Sequence, residues 1–513
     1  MPSRILCLFL CAAGLVIAAP PAVRAQDAAD GAADVAEPVE TSHAITLDDG
    51  TTLAYTARAG FLPLRDESGE LLARVFHVAY TLEGADDPAS RPVTFVFNGG
   101  PGSSSVWLHL GAAGPMRVAM TDEGEAPTPP GRLIVNEGTW LAATDLVFID
   151  PVGTGYSRPA EGHEQSEFSG LENDARSVAE FIRLWTTRHG RWASPKFLAG
   201  ESYGTTRAAA LARRLQSAHN LYLNGVVLIS SILDFGTARF DTGNDLPYAL
   251  FLPTYTATAW THGRLPEDLQ SGPLEAALAE SRAFALGDYW LALARGASLT
   301  AADRARVARR LARLTGLDAE YIEQANLRVS IGRFTKQLRR DERRTVGRLD
   351  SRFLGIDRDA AGESFEYDPS LAAISGAYAA ALNEYVRRAL GFESDLPYEI
   401  LTGRVRPWPW GRDSDQGYVN VAEDLRAAMT RNPHMRVHIA SGYYDLATPF
   451  FATEYTVDHL GLEPELRGNI SMSYYESGHM MYIHEPSLRQ LRRRVERFIA
   501  GAVAAGSPVE SIP

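Results

Sequence analysis

The chain has 513 residues, 45% of them hydrophobic and 22% charged, enough to bury a large core. Its formal net charge of -13 argues against nucleic acid as a partner, because an acidic surface repels phosphate backbones. The only two cysteines, Cys7 and Cys11, sit near the start, so the rest of the chain offers no disulfide, thiol nucleophile or thiolate metal site.

In chain order, Arg4 is followed by the apolar run "ILCLFLCAAGLVIAA", then by Pro20, Pro21 and the small residues Val23 and Ala25. A positive start, an apolar centre and small residues before a cut read as a secretory signal over 1–25, with an uncleaved anchor as the competing reading. Cleavage after Ala25 implies an exported protein, periplasmic or extracellular, with no membrane attachment afterwards. Residues 26–40 are acidic, Ala-rich and free of aromatics, the composition of a disordered leader.

Folded structure is expected from residue 41. Alternating residues on both sides of Asp49-Gly50 predict a β-hairpin, and "ARVFHVAYTLEG" continues the strand pattern. "RPVTFVFNGG" is a short apolar run ending in a glycine turn, which suits a buried parallel strand. A strand in "TDLVFIDPVGTGYS", a helix in "LENDARSVAEFIRLWTTRHG", a strand in "KFLAG", a helix in "TTRAAALARRLQS" and a strand in "LNGVVLISSI" follow. That alternation predicts βαβ units and a largely parallel sheet. From 234 to 406 the pattern is mainly helical, and its arginines read as a solvated helix face. The α/β rhythm returns over 407–513. The expected architecture is one α/β core, 41–233 plus 407–513, interrupted by a helical cap at 234–406.

Gly200-Glu201-Ser202-Tyr203-Gly204 fits G-x-S-x-G between a strand and a helix. In a nucleophile elbow the serine occupies a strained turn, so its close neighbours must be small, and its hydroxyl projects beside a helix N-terminus. The pattern alone also occurs by chance. A serine nucleophile needs a base and an orienting carboxylate, which in an α/β hydrolase follow in the order Ser, Asp or Glu, His, each beyond a strand. "MRVHIASGYYDLATP" puts Asp445 there, and "NISMSYYESGHMMYIH" puts His479 beyond the next strand. His479 would take the Ser202 proton while Asp445 holds its Nδ1–H. Among the twelve histidines, His484 is the nearest competitor. His434 and His438 lack a neighbouring carboxylate or third histidine, so no metal and no other cofactor is expected. An oxyanion site needs one amide after the nucleophile, that of Tyr203, and one from an earlier loop. "FNGGPGSSSVW" lets backbone approach substrate closely, and Gly100 is the choice; a plain Gly-Pro turn is the alternative.

"NGGPGSSS", "DPVGTGYS", "GESYG", "SGYYDLATP" and "SGHM", in this order, resemble the serine carboxypeptidases, peptidase family S10, over about residues 40 to 500. The resemblance implies an α/β-hydrolase fold, a mostly parallel central sheet flanked by helices with a helical cap insertion. It also implies a Ser202, Asp445, His479 triad, an oxyanion hole from the Gly100 and Tyr203 amides, and removal of C-terminal residues from peptides. The family holds the free substrate carboxylate with a Trp and an Asn of W-x-N-G-G-P-G, a Glu in the following helix and the Glu before the nucleophile. Carried over by position, Asn98, Gly99 and Glu201 remain, but the Trp position is Val96, the helix Glu position is Ala112, and the usual Cys is Ser103. A carboxyl group beside a substrate carboxylate stays protonated and donates a hydrogen bond. Arg117 and His109 are candidate replacements for the missing partners, with structural roles as the plainer reading. The expected substrate is a peptide or a small acyl compound. The rival activities are an esterase or acyltransferase on the same triad, or a non-catalytic envelope binding protein.

Overall fold

The computed structural model describes residues 36–85, 87, 89–122, 125–411 and 417–506. The signal expected at 1–25 and most of the leader lie outside the described residues.

The sheet grows from short, apolar runs. Strands β1 (Val39–Thr46), β2 (Thr52–Arg65) and β3 (Leu71–Leu82) form an antiparallel meander whose first turn is the expected Asp49-Gly50 hairpin. β1 opens at Val39, two residues inside the stretch read as leader. The cause is local packing: Val39 pairs with Ala59, and a side chain on Gly60 would lie 2.6 Å from the Pro38 Cα. Beyond the meander run β4 (Val93–Phe97), β5 (Asp145–Ile149), β6 (Lys196–Glu201), β7 (Gly225–Ile229), β8 (Arg436–Gly442) and β9 (Ile470–Tyr475). The spatial order is β1-β2-β3-β5-β4-β6-β7-β8-β9, all parallel from β5 onward, with Arg158–Pro159 as a short addition to β3. Every residue of β4, β5, β6 and β7 is buried, as a sheet covered on both faces requires.

Helices α1 (Leu171–Arg188) and α2 (Tyr203–His219) pack together and share one apolar core with the sheet. The stretch 234–406 divides in two. Helices α3 (Leu246–Thr261), α4 (Leu274–Phe284) and α5 (Ala301–Thr315) build a separate apolar core that reaches Tyr444, Leu446 and Phe450. Helix α6 (Pro369–Arg388) instead sinks into the core on the other sheet face, because Ile374, Tyr378, Leu382 and Tyr385 recur at helical spacing. Helix α7 (Ala422–Arg431) joins α2, α8 (Phe450–Asp458) follows β8, and α9 (Glu485–Gly506) closes the chain over the second face. Among the described residues no helix is long and apolar enough to cross a membrane.

One buried ion pair ties these layers to the glycine loop after β4. Arg207 of α2 donates through Nε to Asp174 of α1 at 2.8 Å and through Nη1 to the Asn98 carbonyl at 2.6 Å. Its guanidinium lies 5.3 Å from the Phe97 ring centroid and 5.2 Å from that of Tyr203, whose hydroxyl also donates to Asp174 at 3.1 Å. Asp174→Ala would strand a buried cation, a loss of about 3–5 kcal/mol. Chemical denaturation measures it, and a loss under about 1 kcal/mol would contradict the role given to this pair.

Candidate active site

Four loops at the C-terminal ends of parallel strands meet around one cavity of about 1080 Å³ lined by Asn98, Gly99, Gly100, Glu201, Ser202, Tyr203 and His479, among others. Ser202 follows β6 directly and caps α2 at φ 60°, ψ -130°. No L-residue rests there unless its surroundings over-determine it, at a cost of about 1–3 kcal/mol. The surroundings are glycines. A Cβ on Gly200 would lie 2.2 Å from the Gly204 carbonyl oxygen, and one on Gly204 3.0 Å from that of Phe97. A Cβ on Gly99 would lie 2.5 Å from the Tyr203 amide nitrogen, so the glycine loop sits directly on the turn. Tyr203 opens the helix, which leaves its amide without an intrahelical acceptor. Gly100, at φ 101°, lies on the same cavity.

Asp445 and His479 come together as the sequence order implies. His479 Nδ1 lies 2.7 Å from Asp445 Oδ2. Asp445 is fully buried and accepts from the Ala447 amide at 2.7 Å, the Thr448 amide at 3.0 Å and the Thr448 hydroxyl at 2.6 Å. Burial works against the His479 imidazolium, yet the charge and hydrogen bond of Asp445, with Glu201 behind them, hold its pKa above the usual value. Glu201 is buried beside Ser202, where Oε2 accepts from Asn98 Nδ2 at 3.1 Å and from the Tyr482 hydroxyl at 2.6 Å. Burial pushes its carboxyl up to about 7, against the opposing pull of His479 and of both hydrogen bonds.

The other candidates fall away from the site. Arg117 pairs with Glu485 at 2.9 Å. His109 lies 2.6 Å from the Tyr80 hydroxyl, stacks on Phe148, and is driven down to about 3 by burial. His484 Nδ1 meets the Ser487 hydroxyl at 2.7 Å. His438 is held by Ser471 and Ser473, and burial lowers it to about 4. Among the described residues no group of His, Cys, Asp and Glu could hold a metal ion. Val96 and Ala112 are wholly buried and apolar, and Ser103 accepts from the Trp107 indole at 2.9 Å.

Several site residues escaped the sequence. A turn of the 234–406 stretch, residues 347–352, stitches the two loops carrying Asp445 and His479. The Arg348 carbonyl accepts from Leu446 N at 3.0 Å, Ser351 N donates to the Tyr444 carbonyl at 2.9 Å, and the Leu349 carbonyl accepts from His479 N at 2.6 Å. Asp350 Oδ2 accepts from Gly478 N at 3.0 Å and pairs with Arg352 at 2.7 Å, and Arg352 also donates to Ser477 at 3.0 Å. Tyr482, Trp107 and Thr448 join the site from within or beside the motif stretches, where the sequence reading gave them no role. Only the Thr448 hydroxyl, three residues beyond Asp445, left a local signal.

The fold is that of the α/β-hydrolases. The serine carboxypeptidase family model matches residues 50–262, a stretch that holds Asn98, Glu201 and Ser202 but ends before Asp445 and His479. Among curated proteins, serine carboxypeptidase-like 42 of Arabidopsis thaliana is 28% identical over 232 residues, 44% of this chain and 44% of the relative. Pheromone-processing carboxypeptidase KEX1 of Saccharomyces cerevisiae is 38% identical over 156 residues, 28% of this chain and 20% of the relative. The chain thus spans less than half the length of these curated relatives. The crystal structure of KEX1(ΔP), a prohormone-processing carboxypeptidase from Saccharomyces cerevisiae, superimposes with a TM-score of 0.55 at 17% identity, covering 87% of this chain and 91% of that one. These matches make the chain similar to the serine carboxypeptidases over its first half, within residues 50–262 for the family model, and alike to one of them in fold.

Gly200→Ala forces a methyl into the Gly204 carbonyl and should cost about 1–3 kcal/mol in chemical denaturation. An alanine variant as stable as the parent would mean that the turn is not sterically locked.

Proposed function

We propose that the protein is a serine-type carboxypeptidase that cleaves C-terminal peptide bonds through an acyl-enzyme. The observation that carries this reading is the 2.7 Å contact between His479 Nδ1 and buried Asp445, on the cavity that the strained Ser202 also lines. Ser202 Oγ attacks the scissile carbonyl carbon while His479 takes its proton, and Asp445 steadies the imidazolium. The Gly100 and Tyr203 amides hold the oxyanion. Collapse of the tetrahedral intermediate breaks the C–N bond, and His479 returns the proton to the departing amino group. Water then repeats the sequence on the ester, releasing the shortened peptide and free Ser202. Asn98, Gly99 and Glu201 receive the substrate carboxylate. The apolar run and small residues of 1–25 further support export to the periplasm or beyond.

The apolar residues Val96 and Ala112 favour a second reading, an esterase or acyltransferase on the same three residues. The two readings differ in their demand for a free C-terminal carboxylate. A peptide and its C-terminal amide, compared as substrates, should differ at least about tenfold in kcat/KM for the carboxypeptidase. Equal rates support the esterase or acyltransferase. Ser202→Ala should lose about 10³-fold or more in kcat and all labelling by a fluorophosphonate. Full activity or undiminished labelling in that variant would exclude Ser202 as nucleophile, and a parent chain that neither labels nor cleaves would be a binding protein.

A further inference from the structure

Val96 and Ala112 leave Glu201 without two of its family companions, yet the carboxyl group is not alone. Tyr482, in the turn after His479, donates to it at 2.6 Å, the shorter of its two hydrogen bonds. Glycine makes the room: a Cβ on Gly111 would lie 2.5 Å from Tyr482 Cε2 and 2.6 Å from the Tyr378 hydroxyl. Tyr378 in turn packs on Trp107 at 5.0 Å between ring centroids. Two phenols thus pack against Gly111, and both are wholly buried.

The two hydrogen bonds share a direction. Asn98 Nδ2 and the Tyr482 hydroxyl both address Oε2, while Oε1 receives no hydrogen bond among the described residues. A protonated carboxyl group has one oxygen that accepts and one that donates. Oε2 is held as the acceptor, so the proton belongs on Oε1, on a residue that lines the cavity. Burial and the neighbouring Glu201 keep the Tyr482 phenol well above its usual pKa, so it remains a donor throughout.

We propose that Tyr482 is a positioning residue for carboxylate recognition: its hydrogen bond fixes Glu201 Oε2 as acceptor and turns Oε1–H toward the terminal carboxylate of the peptide. The proposal rests on the carboxypeptidase reading and sharpens it, since it assigns the direction of the donated hydrogen bond. Groups facing Glu201 are Asn98, Tyr482, Tyr378, His479 and Asp445, with Arg117 beyond Tyr378. The sign of the pH effect follows. Binding needs Glu201 protonated, so it fails as pH rises through about 7. The Tyr482 hydrogen bond favours the ionised form, so its removal moves that failure to higher pH.

The test is kcat/KM against pH for a free-acid peptide, with the parent, Tyr482→Phe, Glu201→Gln and the double variant. The parent should show a descending limb near 7 that an ester without a free carboxylate does not share. In Tyr482→Phe the limb should move up by about one pH unit, with a raised KM below it because Oε1–H is no longer aimed. In Glu201→Gln the limb should vanish, and Phe at 482 should then change nothing in the pH profile. An unmoved limb in Tyr482→Phe, or an equal shift in the Glu201→Gln background, overturns the proposal alone. A parent that treats acid and amide alike overturns the carboxypeptidase reading, and the proposal with it.

Discussion

The backbone of Ser202, at φ 60° and ψ -130°, is the constraint on which the site depends. That conformation is unfavourable by about 1–3 kcal/mol and persists only under close packing. Gly200 and Gly204 allow β6 and α2 to approach each other, and Gly99 allows the loop after β4 to rest on the Tyr203 amide. The same approach sets Asn98 against Glu201, and Arg207 beneath holds the Asn98 carbonyl. The serine, the glycine loop and the buried carboxyl group therefore form one rigid piece. The histidine and aspartate arrive separately, on loops joined by the turn at 347–352. An insertion that the chain rhythm marks as a cap thus also braces His479.

Electrostatics divide the site into two buried acid–base partnerships that feel each other. Asp445 accepts hydrogen bonds from three donors besides its contact with His479. Glu201 has fewer donors, and burial holds its pKa near 7. Each carboxylate favours the His479 imidazolium, and the histidine in turn favours ionised Glu201.

What the sequence made legible was local. The all-buried strands β4 to β7 read as apolar runs, and the Asp49-Gly50 turn read as a hairpin, because each is decided by neighbours in the chain. Ser202, Asp445 and His479 were readable for a related reason: each follows a strand in an order that α/β topology imposes. Three things were hidden. Helix α6 belongs to the sheet core rather than to a separate cap, which depends on what its apolar stripe meets. The 347–352 turn acts on residues about a hundred positions away, largely through main-chain contacts, joined by Asp350 and Arg352, that no local pattern marks. Tyr482 lies in the stretch after "SGHM" and acquires its place because Gly111 carries no side chain. The apolar residues Val96 and Ala112 were visible in the sequence, but the phenols packed on Gly111 were not.

The central claim is that this site removes residues from peptide C-termini, one at a time. Digestion of an unblocked peptide of mixed sequence, followed over time by mass spectrometry, tests it most directly. The products should form a ladder, each shorter by one residue at the C-terminus, with the N-terminal sequence intact. Internal fragments, N-terminal losses or an unchanged peptide beside rapid ester hydrolysis would contradict it.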